Sequence, residues 1–260
     1  MSSAPADTRG NPQAQHYAEI HGAYKAHYYD DASMAYRRRF IYEPLFAHVD
    51  LDGKSVAELA CGSGANSLEL KRLFPTARLT GYDISQSACA DYRALTGSPA
   101  HIFDLTKLAD PPDVHDAAFV IGGIHHCVAG LDATFRNMAR LLRPGGALMM
   151  MEPSNDCFLA GLRNLWYQRD GLFEAESERA LKHDEIAGEA APWFTPKWKR
   201  YFGGPAYYAI LNSLVLRIPL RAKPALAAVL TPLERLYGLL PGRTPFAAFL
   251  AEWRRTDAPA

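Results

Sequence analysis

The sequence of 260 residues predicts an α/β fold in which a doubly wound, mostly parallel sheet is flanked by helices. Short apolar segments alternate with amphipathic ones, which is the pattern of strands that return through helices. The segment 116–121, DAAFVI, is apolar almost throughout, as expected for a strand covered on both faces. Right-handed crossovers place the carboxyl ends of such strands at one edge of the sheet, and ligands bind there.

The individual elements follow in order along the chain. Strands are predicted at 54–59, 77–82, 101–103, 116–121 and 147–151. Between them, helices are predicted at 65–74, from Ser85 or Ser87 to residue 95, and at 131–142. Residues 16–48 read as helical, and FLAEWRR near the C-terminus predicts a last, antiparallel edge strand. These elements suggest one compact domain: a disordered tail at 1–15, a helical lid at 16–50, a ligand-binding core at 51–155, and a helical cap with the final strands at 156–260.

Composition excludes several classes of protein. Basic and acidic residues both number 28, and this balance argues against a dedicated nucleic-acid binder. The four cysteines include no CxxC pair, which argues against a disulfide framework or zinc site and fits a reducing cytoplasm. The N-terminal segment lacks the apolar core of a signal peptide, and the longest uncharged run, 201–216, is too short to span a membrane. We therefore predict a cytoplasmic protein without a metal site.

The most informative segment is VAELACGSGANSLEL, which places Gly62 and Gly64 between the first strand and its helix. Glycine lets a ligand approach the main chain, and the helix beyond offers free N–H groups. Glu58 lies just before the loop, where a carboxylate repels pyrophosphate but attracts an ammonium group. Asp83 ends the second strand, and a carboxylate in that position can accept both hydroxyls of a ribose.

These residues resemble those of the class I S-adenosylmethionine-dependent methyltransferases of the small-molecule type, over about residues 17–153. ELACGSG is similar to the first motif of that family, with Ala60 where a glycine is more usual. GYDIS, FDLT, FVIGGIHH and LLRPGGALMMMEP resemble its later motifs, in the family order. The resemblance implies a Rossmann-like fold, S-adenosylmethionine as cofactor, S-adenosylhomocysteine as product, and methylation of oxygen, nitrogen or carbon on a small molecule.

The resemblance also implies which side chains hold the cofactor. Asp83 would bind the ribose, Asp104 the adenine amine and Leu105 the ring. In the N-terminal helices, Tyr29 and Tyr36 would touch the methionine end, and Arg37 would pair with its carboxylate. The full predicted cofactor set is Tyr29, Tyr36, Arg37, Glu58, Ala60, Gly62, Gly64, Asp83, Ile84, Asp104, Leu105 and Gly122.

The loop after the fourth strand contains two adjacent histidines, His125 and His126. A neutral histidine here can take a proton from an attacking hydroxyl or amine. Adjacent side chains point two ways, so we expect one of the two to face the site, and the resemblance favours His125. The alternative is that they serve packing or hydrogen bonding only, because methyl transfer can proceed largely by alignment. The candidate contacts of the acceptor are His126, Glu152, Trp166 and Tyr167.

The C-terminal third has an uneven charge distribution. Residues 194–233 include six Lys or Arg and no acidic residue, with apolar stretches between the charges. Three interpretations stay open: an anionic or amphipathic acceptor, peripheral contact with an anionic membrane, or a solvated surface.

Two other functions compete with methyl transfer. One is a non-catalytic scaffold that binds S-adenosylmethionine. The other is an NAD(P)-dependent dehydrogenase, which shares the glycine-rich turn and the ribose carboxylate. Ser67 stands where the dehydrogenase fingerprint has its third glycine or alanine, and no Tyr-x-x-x-Lys occurs, so the sequence disfavours this reading.

Overall fold

The computed structural model describes residues 27–161 and 180–258 of the chain. Its centre is a seven-stranded sheet. The strands are β1 (Ser55–Leu59), β2 (Arg78–Asp83), β3 (Ala100–Ile102), β4 (His115–Ile121), β5 (Leu142–Pro153), β6 (Phe194–Phe202) and β7 (Ala248–Arg255). Their order across the sheet is β3-β2-β1-β4-β5-β7-β6. The order reverses between β1 and β4, which is the switch point where open α/β sheets bind ligands.

The first five strands are parallel, and β7 runs antiparallel to both of its neighbours. The predicted fold class is therefore confirmed. The FLAEWRR segment forms β7 as a strand, but it lies one place in from the edge because β6 pairs along its outer side. Trp253 on β7 is fully buried as a result.

Helices cover both faces of the sheet. They are α1 (Asp31–Arg37), α2 (Glu43–Phe46), α3 (Ala65–Leu73), α4 (Gln86–Thr96), α5 (Leu131–Arg140), α6 (His183–Ala190) and α7 (Lys223–Tyr237). A π-helical turn, Arg38–Tyr42, joins α1 to α2, so the predicted N-terminal helix is continuous from Asp31 to Phe46 within the described residues.

The alternation of side chains along β4 explains its continuous apolar sequence. Ala118 and Val120 face a core that includes residues of α5 and α6. Ala117 and Phe119 face the opposite core, which includes residues of α1, α2 and the turn Tyr207–Leu211. Because both faces are covered, neither set of positions tolerates charge. Parallel pairing of β1 with β2 and with β4 places the carboxyl ends of these strands side by side.

The C-terminal third contributes to the sheet as well as to its covering. β6 and β7 extend the sheet, while α7 packs through Ala227 and Leu230 onto the core on the α1 side. No helix among residues 27–161 and 180–258 is long and apolar enough to cross a bilayer.

Candidate active site

The loop between β1 and α3 has an unusual backbone. Ala60, Gly62 and Gly64 all have positive φ angles, of 51°, 51° and 87°. A Cβ on Gly64 would lie 2.6 Å from Thr96 Cγ2 and 2.8 Å from a ring carbon of Tyr92, so only glycine fits there. Ala60 keeps the left-handed backbone although it is not glycine, and its side chain is exposed. The alanine therefore preserves the loop conformation that its position requires.

Glu58 lies beneath this loop in a buried polar network. Its carboxylate accepts hydrogen bonds from Asn66 Nδ2, at 2.9 Å, and from the Ser67 hydroxyl. Asn66 Oδ1 accepts from Tyr42 at 2.6 Å, and Ser67 lies 2.7 Å from the hydroxyl of Tyr92. Burial raises the pKa of Glu58 to about 8. The carboxyl group is thus poised to change charge near neutral pH.

The sequence reasoning missed Asn66, Ser67, Tyr42 and Tyr92 as partners of Glu58. A signal was available for two of them. Asn66 and Ser67 lie in the first turn of α3, where polar side chains that face the sheet need a buried partner. The two tyrosines come from separate elements, so only the tertiary structure reveals them.

Asp83 joins the end of β2 to the glycine loop. Its Oδ2 accepts from the Gly62 N–H at 2.9 Å, and its Oδ1 accepts from the Ser85 N–H at 2.8 Å. The pairing of Leu59 with Tyr82 brings the two strand ends together. A carboxylate has about four lone-pair positions, and two of them are taken by these backbone donors. The half-buried side chain of Ile84 follows directly.

Tyr29 and Arg37, which belong to the N-terminal segment, lie close to Glu58 and Asp83. The Arg37 guanidinium carbon lies 5.0 Å from the centre of the Tyr29 ring, and its Nε donates to the carbonyl of Tyr28 at 3.2 Å. Burial raises the pKa of Tyr29, on which the charges of Arg37, Glu58 and Asp83 also act. Four side chains predicted from distant parts of the sequence are therefore close together in the structure.

Tyr36 is placed elsewhere. Its hydroxyl donates to Glu234 Oε1 at 2.7 Å, and its ring packs against Phe40 and Tyr207. Glu234 belongs to α7, near the C-terminal end of the chain. This arrangement gives Tyr36 a packing role and lends no support to the predicted contact with the methionine end of a cofactor.

The turn after β3 is organised by Asp104. Its Oδ1 accepts from the backbone N–H of Thr106 at 3.0 Å and from the Thr106 hydroxyl at 2.6 Å, and its Oδ2 lies 3.1 Å from Lys107 Nζ. Leu105 is buried, and its carbonyl accepts from Asn137 at 2.9 Å. The predicted adenine-binding residues are thus ordered by their own turn and by α5.

The loop after β4 is fixed by Glu152, which is fully buried at the end of β5. Its carboxylate accepts from the N–H groups of Gly123, Ile124 and His125 at 2.9, 2.7 and 3.3 Å. It also lies 2.8 Å from His125 Nδ1. An ionised carboxylate only accepts, so Nδ1 carries the proton and Nε2 is left as the basic nitrogen. Direct contact between Glu152 and an acceptor finds no support in this burial.

The two histidines differ in their surroundings. His125 is held by Glu152, with 18% of its side chain exposed, and its Cε1 lies 3.7 Å from the position of a Cβ on Gly122. The ring of His126 packs against that of His125, with 3.9 Å between their centres. A side chain on Gly123 would meet Val120 at 2.6 Å and Ala60 at 2.8 Å, so the β1 and β4 loops touch.

The remaining predictions fall outside this cluster. Trp166 and Tyr167 lie outside the described residues, so their predicted contact with an acceptor stays a prediction. Among the residues that the structure describes, no group of three or more His, Cys, Asp or Glu side chains is arranged to hold a metal ion.

Comparison with known proteins identifies the family. A model of the methyltransferase domain matches residues 56–146, which include both loops and Asp83. Demethylmenaquinone methyltransferase of Mycobacterium tuberculosis is 31% identical over 173 residues, covering 58% of this chain and 71% of that protein. The chain belongs to the class I S-adenosylmethionine-dependent methyltransferases. It is an enzyme of that family that methylates a small molecule.

Other methyltransferase relatives match a smaller share of the chain. Phthiotriol/phenolphthiotriol dimycocerosates methyltransferase 1 of Mycobacterium ulcerans is 29% identical, over 45% of this chain and 44% of its own length. Fatty-acid O-methyltransferase of Mycolicibacterium smegmatis is 30% identical, over 41% of this chain and 39% of its own length.

Solved structures share the fold of this methyltransferase. The N-methyltransferase NodS from Bradyrhizobium japonicum, in complex with S-adenosylhomocysteine, aligns with a TM-score of 0.57 and 12% identity over 92% of this chain and 98% of its own. The [4+2]-cyclase SpnF aligns with a TM-score of 0.63 and 19% identity, over 98% of this chain and 99% of its own. At such low identity these likenesses concern the fold alone.

Proposed function

We propose that this methyltransferase methylates a lipophilic small molecule that carries a hydroxyl group, with His125 as the base that removes the hydroxyl proton. The observation that carries the proposal is the 2.8 Å contact between His125 Nδ1 and the buried Glu152 carboxylate. It fixes the tautomer whose Nε2 accepts a proton, and it fixes the ring against the loop. An acceptor that must lose a proton benefits from such a base.

The cofactor-binding part of the proposal uses the cluster around the glycine loop. Asp83 would bind the ribose hydroxyls, and the loop backbone of Gly62 and Gly64 would lie against the cofactor. Glu58 would attract the ammonium group, and Arg37 with Tyr29 would bind the carboxylate. These side chains fit the group because the Arg37 cation and the carboxylate of Glu58, once it is ionised, complement its negative and positive ends. Asp104, Leu105 and Ile84 form the adenine end.

When bound, S-adenosylmethionine supplies an electrophilic methyl group on a positively charged sulfur. The acceptor O–H bond breaks as its proton passes to His125 Nε2, and the oxygen lone pair forms the new bond to the methyl carbon. The carbon–sulfur bond breaks and its electrons stay on sulfur, which leaves neutral S-adenosylhomocysteine. The proton is released from the imidazolium to water, while Glu152 stabilises that cation.

The acceptor class is proposed from the relatives. Their names include demethylmenaquinone, phthiotriol dimycocerosates and a fatty acid, which are all lipophilic. A hydroxylated ring can be methylated on oxygen or on an adjacent carbon once its proton is lost, so one base serves both outcomes. The acid-free C-terminal segment further favours an acceptor with anionic or amphipathic character.

The experiment measures release of S-adenosylhomocysteine by the purified chain with a panel of quinols, phenols, long-chain acids and amines. We expect turnover with the lipophilic quinols or phenols, whereas turnover confined to the long-chain acids, which are already ionised at neutral pH, would contradict the need for a base. In His125→Ala, kcat should fall about 10²-fold or more, as is typical for loss of a general base. Glu152→Gln should lower kcat with little change in KM, because it disturbs the ring rather than the binding surface.

His126→Ala is the matched control, and it should retain most of the turnover. Equal loss in the two histidine variants would contradict the assignment of the base. A chain that binds S-adenosylhomocysteine yet turns over no acceptor would instead favour the non-catalytic scaffold. Turnover confined to amines would reject the hydroxyl acceptor.

A further inference from the structure

Helix α7 presents an apolar stripe to the outside of the molecule. Val229, Leu233 and Leu236 follow one another at steps of four and three, so they lie on one face of the helix. Leu239 and Leu240 continue the stripe past the helix end. Leu236 is 65% exposed and Leu239 is 80% exposed. Such high exposure is unusual for a row of large apolar side chains on a protein surface.

The opposite face of α7 is the one that packs on the protein. Lys223 and Glu234 lie on that face, and both are buried. Glu234 accepts from the N–H groups of Gly204 and Ala206, at 2.8 Å each, and from Tyr36. It is the only acidic residue in the sequence of the helix, so no carboxylate of α7 faces outward with the stripe.

Arginines line the flank of the stripe. Arg235 is exposed on α7 beside Leu236, and it opens onto a cleft of about 260 Å³. Arg39 of the turn after α1 and Arg200 of the edge strand β6 line the same cleft. Within the described ranges, none of these three guanidinium groups forms an ion pair with a carboxylate. Two acids line the cleft with these three cations, Glu43 and Glu234, but Glu234 is buried and its carboxylate accepts the hydrogen bonds described above.

The combination of stripe and cleft points to one kind of partner. We propose that the surface formed by Val229, Leu233, Leu236, Leu239, Leu240, Arg39, Arg200 and Arg235 docks on an anionic phospholipid membrane. The leucines enter the interface between headgroups and acyl chains, and the arginines bind phosphate groups at headgroup level. Charge complementarity favours lipid over a second copy of this chain, since two such surfaces would bring arginines together.

This docking goes beyond the proposed function and does not depend on it. A lipophilic acceptor would be concentrated at the same surface, but the docking is measurable with no acceptor present. Loss of turnover and loss of membrane binding are therefore separate results.

The test is flotation of the full chain with vesicles of equimolar phosphatidylcholine and phosphatidylglycerol. We expect binding to these vesicles and much weaker binding to phosphatidylcholine alone. Raising the salt from about 0.1 M to 1 M shortens the Debye length from about 10 Å to about 3 Å and should release much of the protein.

Replacing Arg39, Arg200 and Arg235 by Gln should weaken binding roughly fivefold for each arginine.

The apolar part is tested separately with Leu236→Glu and Leu239→Glu together, which should abolish flotation. Matched controls change the same number of exposed residues elsewhere: Lys54, Lys71 and Arg78 to Gln, and Leu95 with Val114 to Glu. The controls should float like the parent chain.

Three results would overturn the docking surface. One is absence of flotation with anionic vesicles. Another is flotation of the arginine and leucine variants at the level of their controls. The third is a parent chain that fails to float but is dimeric by light scattering and becomes monomeric in the leucine variant, which would assign the stripe to a second copy.

Discussion

At the scale of single residues, Glu58 links the structure to pH. Its pKa is raised to about 8 by burial, so the free protein holds it mainly neutral at pH 7. A neutral group offers no charge to an ammonium ion. If Glu58 faces the ammonium of the cofactor, binding favours the ionised form and must release its proton.

We therefore expect the affinity for S-adenosylhomocysteine to rise with pH up to about 8 and then to level, approaching tenfold per pH unit below that value. Calorimetric titration from neutral to mildly alkaline pH measures it. In Glu58→Gln the affinity should be lower and independent of pH over this range. A parent affinity without pH dependence would contradict the role of Glu58.

The ionisation of Glu58 also affects the stability of the fold, but here a rise in pH is unfavourable. Because its pKa is raised in the folded state, the folded chain holds a proton that the unfolded chain releases between the ordinary pKa of 4.5 and about 8. Its contribution to the free energy of unfolding therefore falls as pH rises through this window, and Glu58→Gln should remove that part of the pH dependence in denaturant unfolding.

Single residues also show what sequence reasoning can reach. The proximity of Glu58, Asp83 and the glycines was predictable because strand ends of a parallel sheet meet at one edge, and their roles toward a cofactor stay predictions. The position of Tyr29 and Arg37 beside them was predictable only through family resemblance. The contact of Tyr36 with Glu234 was not predictable, because the two residues are 198 positions apart in the sequence. The partner of His125 was equally hidden, since Glu152 reaches it only through the pairing of β4 with β5.

At the scale of elements, a buried cation joins the N-terminal segment to the start of α7. The Lys223 ammonium is fully buried and donates to the carbonyl of His27 at 2.7 Å, to Ser33 Oγ at 2.6 Å and to the Asp30 carboxylate. Burial opposes the ionisation of Asp30, but hydrogen bonds from Lys223 and Ser33 outweigh it and hold the pKa of Asp30 below its usual value. Asp30 is also the N-cap of α1.

Lys223→Met should lower the free energy of unfolding by about 2 kcal/mol, since it removes the buried donor of three hydrogen bonds and leaves the partly buried Asp30 carboxylate uncompensated. Denaturant unfolding measures it. Lys199→Met is the control, because it breaks the exposed pair with Asp184 and should cost less than about 1 kcal/mol. Similar losses in the two variants would show that the Lys223 contact does not stabilise the fold.

The elements of the sheet were predictable to different degrees. The first four strands lie within a few residues of their predicted positions, because alternating turns and apolar runs mark them. β5 begins at Leu142 rather than at residue 147, since the Pro-Gly-Gly turn is included within the strand. β6 carries Lys197, Lys199 and Arg200, and its exposed edge position tolerates the charges that concealed it.

At the scale of the whole molecule, a net charge of zero conceals separated charges. Glu58 and Asp83, which we propose for the cofactor, lie at the carboxyl edge of the sheet, whereas Arg39, Arg200 and Arg235 gather at the α7 surface. The composition argues against a nucleic-acid binder, but it could not reveal this separation, which depends on where the C-terminal third folds.

The proposed cofactor site is formed by the ends of β1 and β2 together with the N-terminal segment. Ligand binding should therefore stabilise the folded state of the whole molecule. At a concentration of S-adenosylhomocysteine about 100 times its Kd, the gain is about 2.7 kcal/mol, which thermal unfolding detects as a raised Tm. Asp83→Asn keeps an acceptor oxygen for one of its two backbone donors but weakens the grip on ribose hydroxyls, so most of the ligand-induced shift should be lost.

Asp116→Asn is the matched control for this loss. Asp116 also accepts a backbone hydrogen bond, from Ser55, but it lies at the opposite edge of the sheet, at the amino ends of the strands. This variant should lower the Tm of the free chain while leaving the shift caused by S-adenosylhomocysteine intact. If Asp83→Asn kept the full shift as well, Asp83 would be a support of the glycine loop alone, and the ribose would have to be bound by another residue at the carboxyl edge.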